Sequence, residues 1–205
     1  MSMIPGTNKY GIINDSPYPV TRHVKRKKVW TCPIYSLWYD MWCRVSDPIL
    51  YPSYSGCSVS EEWRCFSNFL SWVNSQDWQG KFLDKDILVE NNKVYSPQTC
   101  VFVSREVNNL LVLPSIKKNL PLGVSFIERN KKNPYLAQCG KGSGNTYIGY
   151  FPSAEKAHEA WKKAKLERVC SLISIETCAR TLKGLERVKC KLQTSLLEGT
   201  EIKEI

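Results

Sequence analysis

Three short runs separated by two polar turns, with a helix directly after them, constrain this chain more than any other feature. Residues 123–129, 135–140 and 146–151 read as strands. Between them stand Asn130-Lys131-Lys132-Asn133-Pro134 and Lys141-Gly142-Ser143-Gly144-Asn145, built from residue types that reverse a chain. Ser153 then offers a helix cap, Glu155 lies in the first turn, and Ala157, Ala160, Trp161 and Ala164 recur at helical spacing. Strands this short bury too little surface on their own. The expected solution is a three-stranded antiparallel sheet with the alanine-rich side of one helix laid across it. Alternation puts Val124, Phe126, Tyr135, Ala137, Cys139 and Ile148 on the helix side of that sheet. Ser125, Ile127, Arg129, Leu136, Gln138, Asn145 and Tyr147 fall on the other.

Charge singles out the same region. Residues 117–170 hold 11 Lys/Arg against 4 Asp/Glu, whereas residues 1–116 hold 12 against 10 and residues 171–205 hold 6 against 5. Most of the formal net charge of +10 therefore falls in one block, the electrostatic footprint of a phosphate-binding surface. The nine cysteines form no CxxC pair, and neither histidine stands in ligand spacing with one. No zinc site is expected, and the thiols read as small, mostly buried hydrophobes of a reducing compartment. Met1 to Tyr10 has no apolar stretch of signal-peptide length and no run approaches a membrane span, so a cytoplasmic, non-secreted chain is expected.

The remaining sequence suggests four further segments. Residues 1–32 are irregular and carry His23-Val24-Lys25-Arg26-Lys27-Lys28, a loop or a β-hairpin able to touch phosphates. In residues 33–112, Ile34, Leu37, Trp38 and Met41 predict one amphipathic helix; Trp63, Phe66, Phe69, Leu70 and Val73 predict a second, starting near Ser60. Residues 79–111 then read strand, loop, strand, helix, with the helix opening at Ser104. Residues 113–121 form a linker to the three-strand-plus-helix region at 122–169. Residues 170–205 continue as a helical tail that either folds back or pairs with a second copy. The fold class is α+β.

Residues 83–111, with Tyr54-Ser55-Gly56-Cys57-Ser58-Val59 and Trp63, Phe66, Phe69 and Trp72 upstream, resemble the HNH endonuclease family in a variant common among phage-encoded proteins. The shared pattern is Asp84-Lys85-Asp86, then Tyr95-Ser96-Pro97, then an Asn-bearing helix. The resemblance implies a ββα-metal core with flanking helices. It also implies a divalent ion, Mg²⁺ or another, held by Asp84 and Asn108, with Asn109 the neighbouring alternative. The family's base histidine is replaced by Lys85. Lysine acts as a base only with a strongly lowered pKa; otherwise it binds phosphate, leaving Tyr95 or hydroxide on the metal as base. Thr99 stands where the family places a loop-bracing Asn.

The stretches Gly123-Val124-Ser125-Phe126, Tyr135-Leu136-Ala137-Gln138, Tyr147-Ile148-Gly149-Tyr150-Phe151 and Ser153 to Trp161 resemble the apetala/ethylene-response-factor DNA-binding domain. That resemblance implies a sheet lying in the major groove of duplex DNA. Ser125, Ile127, Gln138, Asn145 and Tyr147 would stand at base or backbone positions, and Arg129, Lys131, Lys132 and Lys141 would meet phosphates. The plant domains carry arginines where Ser125 and Ile127 stand, so their target sequence does not transfer. Together the two resemblances imply a homing-like endonuclease that cuts or nicks double-stranded DNA. The alternative is an inactive DNA-binding or inhibitory protein that keeps a decayed HNH fold.

Overall fold

Tyr35, Trp38, Tyr39, Trp42, Phe66, Phe69 and Trp72 stand in two helices of the computed structural model, which describes residues 10–111, 120–139 and 146–203. The chain divides into two units, Met1–Phe102 and Val103–Ile205.

In the first unit, β1 (Thr21–Val24) and β2 (Lys27–Thr31) pair as an antiparallel hairpin, which decides the open choice for the basic run. α1 (Pro33–Ser46) opens on a proline, tolerated there because the first helical N–H has no intrahelical partner. Its buried side chains, Ile34, Trp38, Met41 and Trp42, join Trp63, Phe66, Phe69, Val73, Tyr95, Cys100 and Phe102 in one core. β3 (Ser58–Val59) follows. The helix expected from Ser60 is interrupted: residues 61–64 form a 3₁₀ turn, Cys65 is extended, and α2 (Phe66–Asn74) begins after it. The break has a tertiary cause. It presents the Trp63 carbonyl to the Trp38 and Trp42 indole N–H groups (2.6 and 3.3 Å) and lets residues 64–66 bridge Ile13. β4 (Phe82–Asp84) pairs with β6 (Val101–Val103), and β5 (Val94–Tyr95) runs parallel to β3.

The second unit begins with α3 (Arg105–Leu111). The sequence reading kept this helix with the strands before it; here it packs on a later helix, and the buried Lys165 Nζ donates to the Leu110 carbonyl at 2.6 Å. Next come β7 (Val124–Phe126), β8 (Tyr135–Cys139) and β9 (Thr146–Phe151), antiparallel in the order β7-β8-β9. α4 (Ala154–Ile173) crosses one face, its start capped by Ser153 Oγ, which accepts from the Lys156 amide at 3.3 Å. Val124, Ala137 and Ala157 are the centre of the small core between sheet and helix, with Leu120, Tyr135, Ile148, Phe151 and Ala154 around them.

The tail is not one continued helix. Glu176 Oε1 accepts from the Thr177 and Cys178 amides (2.8 Å each), the chain turns, and α5 (Ala179–Glu198) packs back on α4. Leu185, Val188 and Leu192 are buried within the chain by this return. Lys162 Nζ reaches the far end of α5 and donates to the Ser195 and Thr200 carbonyls (3.0 and 2.8 Å), a cation placed at a helix C-terminus. No described helix is long and apolar enough to cross a membrane.

His158 fastens the segment that follows α5. Its Nδ1–H donates to the Leu122 carbonyl at 2.9 Å, which leaves Nε2 to accept from the Ile202 amide at 3.2 Å. Burial holds this imidazole below its ordinary value of 6.5. The unfolded chain then takes up the proton at a higher pH than the folded one does. The stability supplied by neutral His158 is complete above 6.5 and declines as pH falls below it. The expected result is a urea midpoint, followed by far-UV circular dichroism, that is lower at pH 5.5 than at pH 7.5. His158→Phe should have a lower midpoint at pH 7.5 but a smaller difference between the two. An equal difference in both proteins would show that another group titrates.

Candidate nucleic-acid interface and metal centre

The face of the β7-β8-β9 sheet away from α4 is set by register. Ser125 lies opposite Leu136, Leu136 opposite Tyr150, and Gln138 opposite Tyr147. The ladder slips between Ala137 and Gln138, making Ile148 an extra residue in β9. Simple alternation would send Tyr150 to the helix side. The bulge returns it to the side of Tyr147, and the two rings meet edge to face at 5.8 Å. Ser125, Gln138, Tyr147 and Tyr150 therefore share one face, and Tyr150 is a member that alternation alone misses. Gly149 in mid-strand is the sequence signal that was available for it.

Two residues keep their expected face of the sheet but not the expected exposure. Leu136 is only 8% exposed, because it sits on the central strand with a neighbour on either side, so it is not a groove-facing contact. Phe126, expected under the helix, is 53% exposed and packs edge-on against Tyr135. Ile127 is half-buried just beyond β7, and its amide donates to the Pro134 carbonyl at 2.7 Å. That bond, with Asn130 Oδ1 accepting from the Asn133 amide at 3.2 Å, shapes a turn on which Arg129, Lys131 and Lys132 are all exposed. Lys141 and Asn145 lie outside the described residues. The basic block also contains Lys162 and Lys165, which are buried on backbone carbonyls and offer nothing to a phosphate.

In the first unit, Asp84 ends β4 and is 8% exposed. Its Oδ1 accepts from the Asp86 and Ile87 amides (2.9 and 2.8 Å), turning the chain out of the strand and fixing the carboxylate. Burial pushes this carboxyl above its usual value, opposed by the bond from the Ile87 amide. Lys85, also 8% exposed, directs its ammonium to Asp86 Oδ1 and to the Asn92 carbonyl at 3.2 Å, with the Tyr95 ring 5.8 Å away. Tyr95 is buried, and burial raises its phenol well above the usual value. Lys85 thus clasps its own loop, and burial holds the Tyr95 proton more tightly than in a free tyrosine.

Asn92 was missed. Its buried side chain donates from Nδ2 to the Lys85 and Val94 carbonyls (2.7 and 2.8 Å), while Oδ1 accepts from the Val94 amide at 3.1 Å. Thr99 adds a bond from Oγ1 to the Val94 carbonyl at 2.6 Å. The loop between β4 and β5 is thus braced from both ends. Asn108 stands half-buried on α3 in the second unit, its amide bonded to the Ser104 carbonyl, with Asn109 beside it.

The donor chemistry at Asp84 fits a divalent cation. The carboxylate is oriented by two amides and destabilised by burial, and the adjacent ammonium turns to Asp86 instead. Among the described residues no three His, Cys, Asp or Glu form a metal cage, whereas Mg²⁺ commonly binds one or two carboxylates and completes its shell with water and phosphate oxygens. Beside this site, burial pushes the Cys100 thiol up to about 12. Only Cys100 and Cys139 are buried, fewer than expected, and all nine are free.

No family model, no curated protein and no solved structure matches this chain.

Proposed function

We propose that this chain binds duplex DNA through the outer face of the β7-β8-β9 sheet and that its first unit carries an HNH-like, metal-dependent phosphodiester-cleaving site at Asp84. The observation that carries the reading is the shared face of Ser125, Gln138, Tyr147 and Tyr150, with Arg129, Lys131 and Lys132 exposed on the adjoining turn. A sheet in the major groove places polar side chains on base edges while flanking cations meet phosphates. Gln138 suits a bidentate bond to adenine. In the first unit, Asp84 would hold the divalent ion; such an ion neutralises charge developing on a scissile phosphate. Lys85, Asn92 and Thr99 hold the loop that keeps the carboxylate in place.

A second reading, a DNA-binding protein that no longer cuts, is favoured by one observation: of the groups considered in place of a base histidine, Lys85 is held by its own loop and Tyr95 is buried.

One set of measurements separates the two. Duplex binding is expected to weaken steeply as salt rises, with Lys131→Ala and Lys132→Ala each lowering the salt slope by about 1. Gln138→Ala should cost about 1–3 kcal/mol on a preferred sequence and little elsewhere. Supercoiled plasmid should be nicked with Mg²⁺ or Mn²⁺, and Asp84→Asn should slow nicking by roughly 100-fold or more, since a metal supplies several kcal/mol of charge stabilisation. Mg²⁺ should also raise the melting temperature of wild type and not of Asp84→Asn. Binding without nicking in either metal selects the second reading. Binding that is flat in salt would overturn both.

A further inference from the structure

We infer that the β1–β2 hairpin is a second phosphate-backbone contact for duplex DNA, separate from the sheet of the second unit; this rests on the reading that duplex DNA is the partner. The ribbon carries Arg22, Lys25, Arg26, Lys27 and Lys28 and no acidic residue, and every residue from 22 to 30 is exposed, so neither face is packed. None of the five cations is in an ion pair among the described residues. The register distributes them around the ribbon. Arg22 opposite Trp30 and Val24 opposite Lys27 form one face; Thr21 opposite Thr31 and His23 opposite Lys28 form the other. Lys25 and Arg26 make the tip.

A hairpin on its own is marginal in water, and its turn lacks the residues that such a turn prefers. Lys25 and Arg26 sit at φ +47° and +65°, the left-handed region. A two-residue hairpin turn of this kind prefers Asn-Gly, and non-glycine residues pay for the conformation. Two long cations are nevertheless held there, at the point of the ribbon that reaches furthest from its base. The Arg22 guanidinium lies 5.4 Å from the Trp30 ring centre, which stiffens the stem.

Charge complementarity selects the occupant. A two-stranded ribbon has the width of the major groove, where phosphates line both walls; cations on both faces and at the tip match two walls and not one plane. Val24, Val29 and Trp30 are exposed as well, but Arg22 and Lys27 interrupt them, so no continuous apolar face exists for a lipid surface.

The test uses the full chain. Lys25→Asn combined with Arg26→Gly installs the preferred turn while deleting two cations, so the fold is retained or strengthened. The urea midpoint should be equal to or above wild type. Duplex binding by fluorescence anisotropy should weaken roughly tenfold at about 100 mM salt, and the log–log salt slope should fall by about 2. A second variant, Arg22→Gln with Lys28→Gln, leaves the turn unchanged and should lower the slope similarly. If both variants bind duplex as wild type does, the hairpin inference is overturned and the sheet reading stands. If wild type itself fails to bind duplex, both fall. If wild type binds phosphatidylserine vesicles more tightly than duplex at the same salt and the variants lose that binding, the hairpin belongs to a membrane surface and the inference is overturned.

Discussion

Gly123→Ala should cripple the second unit, lowering its stability by about 2–4 kcal/mol and with it the binding of duplex DNA. Gly123 has φ +75°, and a Cβ built there would stand 2.0 Å from Trp161 Cδ1 and 2.3 Å from Cγ and Nε1 of the same ring. The indole cannot step aside cheaply. Trp161 is fully buried, stacks on His158 at 5.5 Å and 14°, and has the Lys165 ammonium 5.6 Å from its ring centre. Two penalties add: roughly 1 kcal/mol for a left-handed alanine and about 1–3 kcal/mol for overpacking. Against a total of about 5–15 kcal/mol for a domain, the loss is severe. Gly199→Ala is the control in the same unit. Its φ is +67° and nothing lies within 4 Å of its Cβ, so it should lose only the backbone part. Urea unfolding followed by far-UV circular dichroism measures both. Equal losses in the two variants would mean that the Trp161 contact imposes no steric limit. The same contact gives a physical reason for the Gly-Val that opens β7: the helix ring lies where any side chain at 123 would go.

How much of this was legible in the sequence depended on whether the cause was local. The three strands, their order and the cap at Ser153 were readable, because turn residues, alternation and a capping serine act within a few positions of themselves. The bulge at Ile148 was not, because which residue is extra is decided by the partner strand; Tyr150 was lost from the candidate face for that reason. The interruption at Cys65 was hidden in a periodic run of aromatics, since its purpose is to deliver the Trp63 carbonyl to two indoles some twenty residues earlier. Charge counting identified the right block and overstated its surface. Lys162 and Lys165 are counted in that block, but their long stems carry the ammonium groups inward to carbonyls of α5 and α3. At the candidate metal centre, Asp84 stood out through its motif. The clasp by Lys85 and the brace by Asn92 did not, because a loop rich in Asn and Lys looks solvated throughout, whereas these two of its residues are buried.

That brace supports the second large effect. Asn92→Ala should destabilise the first unit by about 2 kcal/mol or more, and Asn92→Asp, although nearly isosteric, should lose at least about 1 kcal/mol more at neutral pH. The order follows from what the side chain donates. Nδ2 satisfies two carbonyls, those of Lys85 and Val94, and Oδ1 takes one amide. Alanine leaves the Lys85 carbonyl and the Val94 amide without these partners, at about 1 kcal/mol or more each, and takes one of two donors from the Val94 carbonyl, which keeps Thr99 Oγ1. A carboxylate still accepts from the Val94 amide but faces two carbonyl oxygens with nothing to donate, and it is desolvated as an anion. Burial and those oxygens raise the pKa of the new aspartate, so protonation restores one donor, and the deficit of Asn92→Asp relative to Asn92→Ala should shrink as pH falls. Tryptophan emission during urea unfolding reads the first unit, because six of the seven tryptophans precede residue 103. An aspartate variant as stable as wild type would show that Nδ2 is not the working end of this side chain. If the order holds and plasmid nicking falls with it while duplex binding does not, the loop supports the chemistry of Asp84 as well as the fold of its unit.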